Sequence, residues 1–507
     1  MQKLLLVLLL LISSNIYSQA KSNIEFDLKS TDWFKDDFKR SFLAFTLSVE
    51  KGGLISGRNY RKGCMIEKFD QEMNLKEKLN IDFDGKERMI LNGYLNQNYL
   101  FLIEYFENEK EDRSEYSVLK ISADLKILER LPLFSIPKEE LHFAYYSTGL
   151  INDIDNNETG YLTLSDKHFA ISFNTSTKGK ERHRIKLFDK ETLNEKFEHV
   201  LDLDFENSKT NFENLVIDDE NEQLFAAFSY FPDDKKIDFG IINIRAGETH
   251  IFKFNKELQN SHKINSKYLL ASPRLKLVEN KVFLFNFFAN EDVREEGYKG
   301  LSYHKFDKNN LTLEKETYNE FTKDFIFQKY GKDKKRPMIK AVLTSIYVSE
   351  NGFVMDAEYN NLSISGQKVG NDYTFGDLII TSLNKEGELN WFKSINKMQS
   401  SGYKSEFRYF GYKSHFKNNK LFIVFNADED VKEYKDERRI EFENGNVKKM
   451  KPYLIKINKD GAWTYKLIDT LDLDKSPLLI RNGQSFDNNF LFINYEDKEK
   501  KIVKLIL

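Results

Sequence analysis

The sequence predicts an all-β fold built from repeated four-stranded antiparallel sheets. Two repeats and the pattern of the chain ends lead to it. The first repeat is a set of strongly apolar runs, beginning at Phe42 (FLAFTLSV), Tyr99 (YLFLIEYF), Phe169 (FAISF), Leu224 (LFAAFSYF), Val282 (VFLFNFF), Phe353 (FVMDAEY), Leu421 (LFIVFNA) and Phe490 (FLFINY). Successive runs are 57, 70, 55, 58, 71, 68 and 69 residues apart, a mean of 64. Seven of the eight follow a short polar turn such as NQN, NEQ or DNN, as a hairpin entering a buried strand requires. These runs are designated the B strands.

The second repeat follows each B strand. An alternating strand ends in a short polar residue and turns back into another strand: MIEKFDQEMNLKEKL, VLKISADLKILERL, IKLFDKETLNEKF, LSYHKFDKNNLTLEK, LIITSLNKEGELNWF and YLIKINKDGAWTYKL. Asp70, Ser122, Asp189, Asp307, Asn384 and Asn458 enter these turns, where a short side chain can bond its own backbone. The fourth copy is FGIINIRAGETHIFKF or IFKFNKELQNSHKI, and both fit. These segments supply strands C and D, and shorter segments such as ERMILNG and VLTSIYV supply strand A. Four antiparallel strands recurring about every 64 residues is the arrangement of a β-propeller, in which radial repetition protects the sheet edges.

The ends suggest how the ring closes. After the Phe490 run the chain has KIVKLIL for a strand C and then stops, while Ile24–Leu28 is an unpaired alternating strand near the N-terminus. Supplying that strand as the outer strand of the last blade completes eight blades, with seven as the alternative. Only 7 Pro and no Gly/Ser-rich stretch occur in 507 residues, so 21–507 is expected to form one domain.

Two hairpins, Asn384-Lys385-Glu386-Gly387-Glu388-Leu389-Asn390-Trp391 and Asn458-Lys459-Asp460-Gly461-Ala462-Trp463, have the form strand, Asn-x-x-Gly, strand with Trp. In this they resemble the PQQ-like and related blades of secreted propellers. The resemblance extends over most of the mature chain as architecture and is specific at these two hairpins, since the other blades lack the Gly and the Trp.

Composition bounds function. With 77 Lys+Arg against 80 Asp+Glu the net charge is -3, which argues against nucleic acid or an anionic membrane as the main partner. Met1-Gln2-Lys3, the apolar run Leu4–Ile12 and the small residues Ser18 and Ala20 have the order of a secretory signal over 1–20. The mature protein is therefore expected to be exported to the periplasm or beyond, neither membrane-spanning nor lipid-anchored, and monomeric. Cys64, the only cysteine, cannot form an internal disulfide and is expected to be buried.

No Gly-x-Ser-x-Gly elbow, His-Glu-x-x-His, phosphate loop or Gly-x-Gly-x-x-Gly occurs, and the eight histidines have no ligand spacing. Asp153, Asp155 and Asn157 alternate like the start of a calcium loop, but Glu158 stands where the sharp turn needs Gly. No metal or cofactor is implied. The basic run Lys332–Arg336 reads as a solvated loop.

The turns on one side of the blades are tight, whereas those joining B to C and D to the next A include the long segments 50–63, 135–149, 319–340, 360–376 and 427–450. Long connections that the fold does not need are the natural carriers of function. Their aromatic and arginine side chains are the candidate ligand contacts: Arg58 and Tyr60 in the first, Tyr145 and Tyr146 in the second, Tyr373 in the fourth. The segment 401–416 adds Tyr403, Arg408, Tyr409 and Tyr412, of which part must also serve as core in an inner strand. The leading expectation is a non-catalytic scaffold that binds a protein or polysaccharide. The alternatives are a carbohydrate-active enzyme with carboxylates at the central channel, and an assembly component of the cell envelope.

Overall fold

A computed structural model describes residues 24–35, 38, 41–83, 88–140, 162–177, 180–201, 210–233, 236–245, 248–253, 269–289, 297–332, 334, 339–363, 372–401, 406–434, 439–443, 446–468, 477–496 and 499–507. The chain is an all-β propeller of four-stranded antiparallel sheets. Seven blades are each drawn from one stretch of chain: 42–82, 88–137, 162–201, 210–253, 269–320, 342–397 and 413–467. Seven is the alternative to the eight blades preferred from sequence; a further sheet draws on both ends of the chain, in which Gln484–Phe486, Asn489–Glu496 and Glu499–Ile506 take Asp27–Ser30 as their outer strand. That pairing begins three residues later than the sequence suggested. Ile24 instead enters the apolar core with Phe490, Phe492 and Val503.

Chain contacts group the residues into two compact units, 30–320 and 1–29 with 321–507. In the first, each interface between neighbouring sheets is a separate apolar layer. Phe45, Ile55, Ile66, Leu102 and Leu119 fill one such layer, and Phe101, Ile103, Val118, Phe169 and Phe188 fill the next. The B strands supply both faces, which is why they read as continuous apolar runs. In the second unit Val354, Ile380, Ile423, Phe425 and Ile455 form the corresponding layer.

The inner A strands share a device. Register breaks occur at Leu43/Phe45, Ile90/Asn92, Phe212/Asn214, Ala271/Arg274 and Leu343/Ser345. A bulge leaves backbone groups unpaired, and side chains of a neighbouring sheet take some of them up. Asn59 Nδ2 donates to Ile90 O at 2.7 Å while Ile90 N donates to Asn59 Oδ1 at 3.3 Å. Likewise Leu275 N donates to Asn214 Oδ1 at 2.7 Å.

The C-to-D turns behave as their residue types predict. Asp70 Oδ1 accepts from the amides of Glu72 and Asn74, Asp189 Oδ1 from Glu191 and Thr192, and Asn384 Oδ1 from Glu386 and Glu388, all between 2.7 and 2.9 Å. The ambiguous fourth hairpin is the first option, Lys236–Arg245 paired with Glu248–Lys253. The two Gly/Trp hairpins touch: Trp391 Nε1 donates to Lys459 O at 3.0 Å, above the left-handed Gly461.

Two readings are corrected. The run at Phe42 is an A strand, Phe42–Ser48, and the B strand of that blade is Leu54–Tyr60, inside the segment 50–63 read as a loop. Its sequence, LISGRNY, is too polar to look buried, yet Ser56, Arg58 and Asn59 are all inside. The other long segments are partly structured. The segment 319–340 holds the α-helix Lys323–Tyr330, capped by Thr322, whose side chain accepts from Phe325 N, and ended by Gly331 at φ 67°. The segment 427–450 holds a hairpin, Val431–Tyr434 with Arg439–Phe442, which extends the sheet 342–397 by pairing parallel to Leu389–Lys397. Strands Gly352–Ser363 and Asp372–Asn384 run into 360–376 from both sides.

Candidate functional site

In the unit 30–320 one pocket of about 390 Å³ opens on the sheet 88–137. Arg88 comes from the start of strand A, Glu104 and Phe106 from the second half of B, Arg113 to Ser117 from the start of C, and Arg130 to Ser135 from D. The pocket therefore lies toward the blade end where B passes into C. Antiparallel pairing sets Glu104 opposite Ser117, and Ser117 opposite Pro132.

The chemistry centres on Glu104, which is 1% exposed. Its Oε1 accepts from Ser117 Oγ at 2.5 Å and pairs with Arg130 Nε at 2.7 Å. Its Oε2 lies 4.0 Å from Arg88 Nη1, too far for a hydrogen bond, and is buried with no hydrogen-bond partner among the described residues. The Arg88 guanidinium sits 4.5 Å above the ring of Phe106. Arg113, about half exposed, pairs with Glu111 at 3.3 Å, and Asn108 Nδ2 donates to Glu115 Oε1 at 2.8 Å. Tyr116 also lines the pocket, and its buried hydroxyl lacks a partner among the described residues. Its burial pushes the phenol well above its ordinary pKa, so it is a neutral donor and acceptor.

The sequence-predicted contacts fall elsewhere. Arg58 is fully buried: Nε and Nη2 each donate to Glu67 at 2.7 Å, and Nη1 donates to Ser41 Oγ at 3.0 Å. It holds a sheet together and presents nothing to solvent. Tyr60 stacks on Phe38 with ring centroids 4.0 Å apart and donates to Asn80 Oδ1 at 2.7 Å. Tyr145, Tyr146 and Tyr403 lie outside the described residues, as do 1–23 and the residues 153–158 weighed for calcium. The Tyr373 backbone pairs with Ser401 in an extension of Asp372–Asn384.

In the other unit Arg408 and Tyr409 are brought together. The guanidinium lies 5.0 Å from the Tyr409 ring centroid and 5.6 Å from that of Tyr495, and Arg408 Nη2 donates to Tyr409 Oη at 3.2 Å. Tyr412 is core, and its hydroxyl donates to Asp356 Oδ1 at 2.7 Å. A second buried group adjoins it through Gly411, whose N–H donates to Gln399 Oε1 at 2.9 Å: Lys397 Nζ donates to Glu358 Oε1 at 2.6 Å and to Gln399 Oε1 at 2.9 Å, and Gln399 Nε2 donates to Asn426 O at 2.7 Å.

Among the described residues no group of three or more His, Cys, Asp or Glu is placed to hold a metal. No helix there is long and apolar enough to cross a membrane. His168 bonds Asp219 at 2.7 Å, His304 and His183 are buried with their pKa values lowered by desolvation to about 3, and Cys64 is buried with its thiol pushed far up by desolvation. Glu104 was missed because it is one acid in the apolar run YLFLIEYF. A lone charge inside a strand that must be buried is the signal that could have found it.

No family model matches the chain, and no curated protein is similar to it in sequence. Its backbone is similar to the WD40 domain of SCAP from fission yeast, at 8% identity and a TM-score of 0.40, covering 95% of this chain and 98% of that one. It is similar to the β-propeller domain of the Trilobed protease from Pyrococcus furiosus, at 8% identity and TM-score 0.35, covering 87% and 98%. A post-proline cleaving enzyme from Rickettsia typhi matches at 12% identity and TM-score 0.37, with 88% of this chain covering 54% of that one.

Proposed function

We propose that the chain is an exported, non-catalytic propeller scaffold that binds a macromolecule, glycan ahead of protein, at the blade ends where B passes into C. The observation that carries this reading is the buried Glu104 Oε2, left without a hydrogen bond in an open pocket. A desolvated carboxylate oxygen costs free energy unless a donor reaches it, and a ligand hydroxyl or amide is such a donor. Arginine and aromatic side chains around it suit the polar edges and apolar faces of sugar rings. Export rests on the Met1–Ala20 pattern alone.

The test is glycan-array and peptide-array binding by the full chain, its Glu104→Gln variant and an Asn384→Ala variant at a C-to-D turn. Binding weakened by the first substitution and spared by the second is expected. Loss through the turn variant alone would overturn the assignment of the blade end. A carbohydrate-active enzyme is the second reading, since Glu104 and Glu115 line one pocket and sugar hydrolysis uses paired carboxylates. Release of reducing ends from a bound glycan, abolished in Glu104→Gln, would select it.

A further inference from the structure

We infer that Arg408 anchors a second binding site, in the unit 1–29 with 321–507, which takes a carboxylate from an acidic segment of a protein partner. This inference does not rest on the Glu104 pocket. Arg408 lies in the turn Phe407–Tyr409 that leads into the inner strand Lys413–Lys417, and its side chain is part-buried. Its guanidinium rests against two rings, 5.0 Å from the centroid of Tyr409 and 5.6 Å from that of Tyr495. The side chain makes a single hydrogen bond, from Nη2 to Tyr409 Oη at 3.2 Å, and its Nε is buried with no hydrogen-bond partner. Among the described residues no carboxylate pairs with it, Glu406 two residues away included. Glu358, whose Oε2 lies beside Gly411, is taken by Lys397 Nζ at 2.6 Å. A part-buried charge with a desolvated donor and no counter-ion costs free energy, and an anion supplied by a ligand removes that cost.

The second observation is the rigidity of the platform. The buried Asn426 Nδ2 donates to Tyr409 O and to Leu478 O, each at 2.8 Å, and Arg481 N donates to Arg408 O at 3.2 Å. These bonds tie the segment entering Lys413–Lys417 to the one entering the inner strand Gln484–Phe486. The guanidinium is thus held in place before a ligand arrives, and little side-chain freedom is lost on binding. The ligand class follows from what the rings already hold. A guanidinium fork matches a planar carboxylate. A sugar ring would need an open aromatic face to stack on, yet Arg408 lies over Tyr409 and Tyr495, and Lys500 Nζ lies 5.3 Å from the Tyr495 centroid. These tyrosines hold cations instead of offering a stacking surface, which favours a peptide carboxylate over an acidic sugar. Arginine and tyrosine together are also the residues that concentrate at the centres of protein interfaces.

The experiment is calorimetric titration of the full chain with a Glu-rich peptide, the same peptide with Gln in place of each Glu, inorganic phosphate and an oligogalacturonate. The Glu-rich peptide is expected to bind, with affinity falling as salt rises, and its Gln counterpart about tenfold or more weaker because the charge-assisted hydrogen bonds are lost. Arg408→Gln should weaken the acidic peptide about tenfold, with a melting temperature close to the parent's because no carboxylate is left stranded. Arg408→Lys keeps a cation against both rings but loses the fork, so its affinity should fall between the two, and it carries the test if Arg408→Gln melts lower. Equal binding of the Gln peptide, or undiminished binding by Arg408→Gln, overturns the site. Phosphate or oligogalacturonate bound in place of the peptide, in an Arg408-dependent way, overturns the protein partner. No binding of the Glu-rich peptide overturns the inference and leaves the Glu104 reading to its own arrays.

Discussion

The indole of Trp391 lies against Gly461, so that a Cβ placed on that glycine would stand 2.8 Å from Trp391 Cδ2. Gly461 has φ +80°, a region costly for any residue with a Cβ, and the Trp391 N–H is bonded two positions earlier, at Lys459 O. Both features link the outer strand Leu389–Lys397 to the C-to-D turn of the following blade.

Gly461→Ala is therefore expected to destabilise the protein by about 2 kcal/mol or more, since left-handed backbone with a Cβ costs about 1–2 kcal/mol and the ring must also move. Trp391→Phe, which keeps a ring but loses the hydrogen bond, should cost about 1 kcal/mol. Urea midpoints of the two variants and the parent measure this. Equal midpoints for Gly461→Ala and the parent would show that the indole does not seat on this turn.

Arg58 leads to a sharper contrast, because the same residue could have served a ligand or the fold. Two 2.7 Å bonds to Glu67 inside a sheet leave no donor aimed at solvent. Arg58→Met strands the Glu67 carboxylate, and removal of one partner of a buried ion pair costs about 3–5 kcal/mol. Arg58→Lys should recover only part, because an ammonium cannot make the two-pronged contact. Chemical denaturation is the measurement; a variant as stable as the parent but impaired in ligand binding would return Arg58 to the list of ligand contacts.

How much of this was legible follows from which residues are apolar. Seven B strands stood out because both faces are buried, as at Leu100–Phe106, where each residue is inside. Leu54–Tyr60 was hidden because its buried positions carry Ser56, Arg58 and Asn59, whose partners Glu67 and Ile90 lie 9 and 31 residues away. The long segments were visible by length, but their content was not: VKEY and RIEF are too short and charged to announce the hairpin Val431–Tyr434 with Arg439–Phe442. The pocket was least legible. Glu104, Ser117 and Arg130 meet through strand register, and pairing across a sheet leaves no spacing motif along the chain.

Lys397 and Glu358 form a second pair whose removal should be asymmetric. Both are buried, and burial lowers the Lys397 pKa while the Glu358 carboxylate opposes that. Lys397→Met leaves Glu358 without its cation and should cost about 3–5 kcal/mol, and Glu358→Gln in the same chain should restore part of it. A double-mutant cycle on unfolding free energies gives the coupling, and additive effects of the two substitutions would place the stabilisation elsewhere.

Asp356 should give the protein a distinctive pH dependence. It is fully buried, and desolvation raises its pKa from 3.8 to about 6 despite the hydrogen bonds from Tyr412 Oη and Ser345 N. Between about pH 4 and 6 the unfolded chain has released this proton while the folded chain keeps it, so folding binds the proton and stability falls as pH rises through that window. Below about pH 4 both states are protonated and the contribution is complete; above about 6 the loss levels off. Asp356→Asn keeps an acceptor for Tyr412 and cannot ionise. Its stability relative to the parent should rise from near equality at pH 4 to an advantage on the order of 3 kcal/mol at pH 8. The comparison is of unfolding free energies across that range, because other groups titrate in both proteins and cancel in the difference. A difference that does not change with pH would mean that Asp356 ionises as an ordinary carboxylate, and that water reaches its second oxygen.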